Sequence, residues 1–216
     1  MKGLFKYTVL IMLFSFLGCY SDDSDVSIHS LDAAHRTSHL TDLIKSVTLH
    51  HSSFDDVVDG SSCFSLKFPY ELKVNSELMS ISNMDDISVL SEKDVIEIQY
   101  PVSVIFFDYT SHQVNSASDL RNLQLQCEST FDIKPNSCIE FDYPITVKDF
   151  NDFTSSFSTH HFTNNEAFFL YLEHLHDSDM FEIEYPITLN DTPSTSIEIS
   201  SNLELINALD NPKDCQ

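Results

Sequence analysis

Four stretches of the chain alternate apolar and polar side chains around a proline. Aligned on it they read CFSLKFPYELKV (Pro69), VIEIQYPVSVIF (Pro101), CIEFDYPITVKD (Pro144) and MFEIEYPITLND (Pro186). In every copy the residues five, three and one before the proline, and one and three after it, are apolar. In the third copy these are Ile139, Phe141, Tyr143, Ile145 and Val147. Period-two alternation puts one face in a core, so each stretch predicts one long strand through its proline. A polar turn follows, then a shorter strand ending near Ile81, Val114, Phe162 or Ile199. Two residues later stand Asn83, Ser116, Asn164 and Ser201, side chains that cap helices. Three residues beyond each cap come Asp86, Asp119, Ala167 and Glu204, a partial capping box. Apolar residues at helical spacing follow: Ile87 and Leu90; Leu120 and Leu123; Phe168, Leu172 and Leu175; Leu205 and Leu209. The unit is strand, strand, helix, written four times.

Cysteine positions group the copies. Cys63 and Cys138 each lie six residues before a proline, and the second and fourth copies end near Cys127 and Cys215. The expected fold class is therefore α+β: two tandem disulfide-closed modules, each ββαββα, with an antiparallel sheet and helices on one face. Four cysteines allow three connectivities. Only Cys63–Cys127 with Cys138–Cys215 staples each module to itself, and that pairing is expected. Such a staple is worth roughly 4 kcal/mol in the chain-entropy model, and a domain of about 70 residues needs it. Proline lacks the N–H that a central strand uses, so the long strand is expected outermost in its sheet, with a bulge as the alternative.

The N-terminus reads as a sorting signal. Lys2 and Lys6 precede YTVLIMLFSFL, an apolar run of signal-peptide length, which stops at Gly18-Cys19 before YSDDSD. Gly-Cys at that place resembles the lipobox of bacterial lipoproteins, although Phe16 stands where the commonest lipobox has leucine. Acylation of Cys19 would leave an even four cysteines, as an oxidising compartment favours. The serine-plus-acidic run from Ser21 to Ser24 resembles the tag that sends Bacteroidota lipoproteins to the outer face of the outer membrane. The expected organisation is a signal peptide over 1–18, an acidic, Ser- and His-rich tether over 19–60, module 1 over 61–130 and module 2 over 136–216. Within the tether, LTDLIKSV (40–47) predicts a short amphipathic helix, because Leu40, Leu43, Ile44 and Val47 share a face.

The formal charge is −23, and loss of the leader removes two lysines and no acid. A nucleic-acid binder needs a basic face, so that class is excluded. Glycine occurs only at 3, 18 and 60. A P-loop, a Rossmann fingerprint, a nucleophile elbow and a standard EF-hand loop all require glycine within the folded part. His160 and His161 are strand neighbours that point to opposite faces. His174 and His176 would diverge on a helix. The acid pairs Glu140/Asp142 and Glu182/Glu184 lie about 7 Å apart on one strand face, but that face is the one opposite the core. No catalytic residue, metal ligand or cofactor is assigned.

The pattern of a cysteine, a strand through Tyr-Pro-Ile-Thr, a turn, a strand, a helix and a closing cysteine resembles uncharacterised surface lipoproteins of Bacteroidota, of flavobacterial type. The resemblance covers about 63 to 215. Those modules usually carry an Asp-Gly turn in the hairpin, where this chain has FNDFTS and LNDTPS. The resemblance implies an exported module, lipid-anchored at the outer membrane and exposed on the cell surface. The expected function is a non-enzymatic interaction or structural role at the cell envelope, as a monomer with an unidentified envelope or extracellular partner. Binding of a divalent cation or small ligand is the alternative.

Overall fold

In the computed structural model, which describes residues 33–127, 136, 138–151, 153–191 and 195–210, each proline splits its predicted strand in two. The first copy gives β2 (Phe64–Leu66) and β3 (Tyr70–Val74), then β4 (Glu77–Ile81) and α3 (Met84–Ser88). The second gives β5 (Ile96–Ile98), β6 (Val102–Phe106), β7 (Ser111–Val114) and α4 (Ala117–Cys127). The third gives β8 (Ile139–Asp142), β9 (Ile145–Asn151), β10 (Ser156–Phe162) and α5 (Asn165–His174). The fourth gives β11 (Met180–Ile183), β12 (Ile187–Asp191), β13 (Thr195–Ile199) and α6 (Asn202–Asp210). Ahead of them lie β1 (Ala34–His35), α1 (His39–Thr48), a 3-10 turn (Ser53–Asp55) and α2 (Asp56–Asp59). The α+β class with antiparallel sheets is as expected.

The X-Pro peptide bond of each repeat, at Pro69, Pro101, Pro144 and Pro186, is cis, and at each of these prolines the chain leaves one sheet and enters another. The strand orders are β4-β3-β5 and β2-β6-β7 in the first half, β1-β11-β9-β10 and β13-β12-β8 in the second. So the expectation of one sheet per module with an outermost proline strand is corrected: there are two sheets, and the strand after each proline is an inner one. The missing N–H falls at the corner between sheets, where no ladder partner is required, in the manner of orthogonally packed sheets. Pairing reaches to two residues before the proline, as in Lys67 N–H to Ser103 O at 2.8 Å and Gln99 N–H to Glu71 O at 3.0 Å.

The corner exchanges strands between copies. β2 of the first copy pairs with β6 of the second, and β5 of the second pairs with β3 of the first. Likewise β8 pairs with β12, and β11 with β9. A single copy would leave its first strand without a ladder. Side-chain alternation survives the corner because both half-strands face the same core: Ile139, Phe141, Ile145 and Val147 are all buried.

Each helix begins at its predicted cap. Asn83 accepts from Asp86 N–H in a full capping box, Ser116 from Asp119 N–H, Asn164 from Ala167 N–H and Ser201 from Glu204 N–H. Caps of this kind contribute about 1 kcal/mol each. Helical apolar residues enter two cores: Ile87 and Leu120 join Phe64, Leu66, Leu72 and Val104 in one. Phe168, Leu172, Leu175, Leu205 and Leu209 join Phe141, Ile145 and Val147 in the other. The β3–β4 hairpin turns without glycine. Asn75 and Ser76 take φ of 50° and 77°, and the Asn75 side chain is held by Asp94 and by Val95 N–H.

Two further expectations are corrected. Residues 34–59 are not a tether. β1 extends the sheet at β11, and the predicted amphipathic helix forms as α1, burying Leu40, Ile44 and Val47 in the second core. Its Lys45, buried, pairs with Glu173 of α5 at 2.7 Å. A polar composition hid an apolar stripe that had to be covered. Cys63 is a free, half-buried cysteine, so the Cys63–Cys127 staple is not made. Cys138 is disulfide-bonded; Cys215 lies outside the described residues, as does Cys19.

Candidate functional site

The segment between α1 and β2 packs polar groups into the first core. Phe54 and Val58 supply its apolar side and lie against that core. Gly60 ends α2 in the left-handed region (φ 68°), its N–H bonded to Asp56 O, which is why a glycine is needed there. The Asp59 carbonyl accepts from the Gln124 side chain of α4, and His50 N–H is bonded to Phe107 O at 2.8 Å. Both bonds go to the second repeat, and Leu66 N–H, bonded to Asp55, fastens the segment to the first.

A cavity of about 330 Å³ opens beside it, walled by Phe54, Leu66, Phe68 and Ile105, with Met84 and the exposed Lys67 at its margin. His50 lines it and meets Ser65 Oγ at 2.7 Å through Nε2. The ring packs edge-on against Phe54 and Tyr109, at 6.4 and 5.5 Å between centroids. Burial, with a smaller push from His51, lowers the His50 pKa below the usual histidine value, so the ring is neutral at pH 7. A neutral imidazole against a hydroxyl has the first two parts of a nucleophilic triad. Among the described residues no carboxylate bonds the other ring nitrogen, and Ser65 is 1% exposed. The pair is built to hold a hydrogen bond at a cavity wall.

A second polar cluster meets the backbone of Leu66. Asp55, Asp59 and Tyr70 are 0%, 3% and 6% exposed. Asp55 accepts Leu66 N–H at 2.7 Å through Oδ2, and Asp59 accepts Ser61 N–H at 2.9 Å through Oδ1. Their other oxygens, and the Tyr70 hydroxyl, are buried without a hydrogen-bond partner. Burial raises the Asp55 pKa to about 7; burial and then the charge of Asp55 raise that of Asp59 to about 9. The Tyr70 phenol is driven upward by burial and by both carboxylates, which places it in their field.

The residues singled out by sequence do not converge. Glu140, Asp142 and Glu184 are exposed and Glu182 half-buried; Lys148 pairs with Glu184 at 3.5 Å. His160 bonds Asp149 at 3.3 Å and lies against Tyr171, whereas exposed His161 meets Thr146. His174 ends α5 on Leu170 O, and His176 lies beyond the helix. Among the described residues no three of His, Cys, Asp and Glu converge as a metal centre, and no helix is long and apolar enough to cross a membrane. Sequence reasoning missed His50, Asp55 and Asp59. The available signal was Asp55 and Asp59 one helical turn apart, around two valines and closed by Gly60. Compared with protein-family models, curated proteins and solved structures, the chain matches none.

Proposed function

We propose that the chain is a non-enzymatic lipoprotein of the outer membrane, anchored through Cys19 and exposed on the cell surface, with an interaction or structural role at the envelope. The observation that carries it is the leader ending at Gly18-Cys19, ahead of a folded body whose first described element is β1. About 14 residues separate the two, a reach of at most roughly 50 Å. The strong negative charge favours a dispersed, soluble body facing an aqueous medium. The resemblance to Bacteroidota surface lipoproteins supports the same address. Cys138 closes on Cys215 in this reading. Metabolic labelling with a palmitate analogue should mark the wild type and miss Cys19→Ser, and protease added to intact cells should remove the body. Equal labelling of both proteins, or full protection from protease, overturns the reading.

The cavity beside His50 favours a second reading, a small-ligand binder. Its size lies at the small end of ligand pockets, and an apolar wall with one histidine–serine pair suits a small, mostly apolar molecule bearing one hydrogen-bonding group. Calorimetry with small aromatic alcohols and acids should give heats that Met84→Trp, which fills the margin, abolishes. Identical heats from both proteins would remove the cavity from consideration.

A further inference from the structure

Three oxygen atoms are sealed in the first core with nothing to bond: Asp55 Oδ1, Asp59 Oδ2 and Tyr70 Oη. Their residues come from two elements, the turn and helix over 53–59 and strand β3, and each is more than nine-tenths buried. Backbone amides hold the opposite oxygen of each carboxylate, at 2.7 Å for Asp55 and 2.9 Å for Asp59. The carboxylates are therefore fixed in orientation, each with one oxygen turned away from its amide. Among the described residues no lysine, arginine or histidine forms an ion pair with either. Two carboxyl groups one helical turn apart, desolvated and without a counter-ion, are both ionised only if a positive charge joins them. Among the described residues nothing bonds these three oxygens, which leaves their partner to come from outside the chain.

We infer that Asp55, Asp59 and Tyr70 form the protein side of a buried site for a hard divalent cation, calcium in the first instance. A single ion satisfies all three oxygens and cancels both negative charges. The donor set is entirely oxygen, with no thiolate or imidazole, which selects against zinc and copper. Calcium tolerates irregular shells of six to eight oxygens and takes waters or carbonyls for the remainder, whereas magnesium demands near-octahedral order. Two carboxylates and a phenol from a turn and a strand fit the more permissive ion. Such an ion would tie the 53–59 segment to β3, and with it the wall of the cavity at Phe54. The site depends on neither the lipid anchor nor occupancy of that cavity.

The test uses the purified full chain, stripped with EDTA and returned to calcium. At a calcium concentration about a hundredfold above Kd, the melting temperature should rise by about 5–10 °C. Asp55→Asn/Asp59→Asn keeps the oxygens that accept the two amides. It should start out more stable without calcium and show no rise. Tyr70→Phe should weaken calcium binding about tenfold, close to the loss of one neutral ligand. Because the chain is so acidic, Glu140→Gln/Asp142→Asn serves as the surface control and should respond like the wild type. Terbium emission excited through tyrosine should appear with the wild type, fall on adding calcium and be absent from the Asp55/Asp59 double variant. No calcium response in the wild type, or an equal response in the double variant, overturns the site. The second result would place the cation on exposed carboxylates.

Discussion

Replacing Asp59 by asparagine should make the protein more stable, and by an amount that depends on pH. In the native chain burial and the neighbouring Asp55 raise the Asp59 pKa to about 9 from the ordinary aspartate value of 3.8. A group whose folded pKa is raised contributes fully below its unfolded pKa and loses that contribution as pH rises toward the folded value. Stability therefore falls between about pH 4 and pH 9 on account of this one carboxyl. Each pH unit is worth about 1.4 kcal/mol, so by pH 7 the loss is roughly 4 kcal/mol. Asparagine needs no proton and keeps the carbonyl that accepts Ser61 N–H. Asp59→Asn should thus gain up to about 4 kcal/mol at pH 7, and nothing below pH 4. For a chain of this length that corresponds to a melting-temperature rise of about 8–16 °C. The pKa of Asp55, raised to about 7 first by burial and also by Asp56, keeps its own pH dependence in both proteins, so the difference between them isolates Asp59. Urea unfolding followed by circular dichroism at pH 4, 5.5, 7 and 8.5, with EDTA present, measures it. A variant less stable at pH 7, or a gain that does not vary with pH, refutes the reasoning. Calcium should shrink the gap, because the ion stabilises only the wild type.

Glu173→Ala leaves the buried Lys45 ammonium without its partner and should cost about 2 kcal/mol in urea unfolding; Lys45→Met in addition should recover most of it. Gly60→Ala places a Cβ in ordinary contact with Gln124, at 3.5 Å, but at φ 68°. Its expected cost is about 1 kcal/mol, from backbone strain alone. Alkylation of the native protein without reductant should modify Cys63 and spare Cys138, read by peptide mass mapping; modification of Cys138 contradicts the disulfide.

The repeat, its hairpin and its helix caps were legible because each rests on local chemistry. Asn83, Ser116, Asn164 and Ser201 bond amides three residues away, so sequence spacing is enough. The sheet order was not legible. Period-two burial is the same whether Phe141, Tyr143 and Ile145 lie on one strand or turn a corner between two, since both arms face one core. Nothing in that period says that β8 pairs with β12 rather than extending into its own hairpin. The equal spacing of Cys63 and Cys138 to their prolines suggested equal roles, yet one is free and the other bonded. The site was hidden for a different reason. Aspartates count as solvated in any hydropathy reading, and Asp55 and Asp59 are buried only because the apolar groups around them close over the turn that carries them.

The same stretch decides what the folded unit is. A chain beginning at residue 61 would retain all four repeats, and on the sequence reading it should fold. The structure predicts otherwise. Loss of α1 removes Leu40, Ile44 and Val47, at 4%, 0% and 5% exposed, from the second core. At about 1.5–3 kcal/mol for each buried aliphatic side chain, that is roughly 5–9 kcal/mol, comparable to the whole stability of an ordinary domain. The first core loses Phe54 and Val58, and Leu66 N–H in β2 loses the carboxylate that it bonds. Residues 61–216 should therefore give a urea transition that is broad and displaced to low denaturant, with near-ultraviolet dichroism weakened. A fragment from residue 33 should match the full chain. If the two fragments unfold at the same midpoint with the same slope, α1 and the 53–59 turn are ornament and not core. The calcium site would then lie on a segment that the fold does not need.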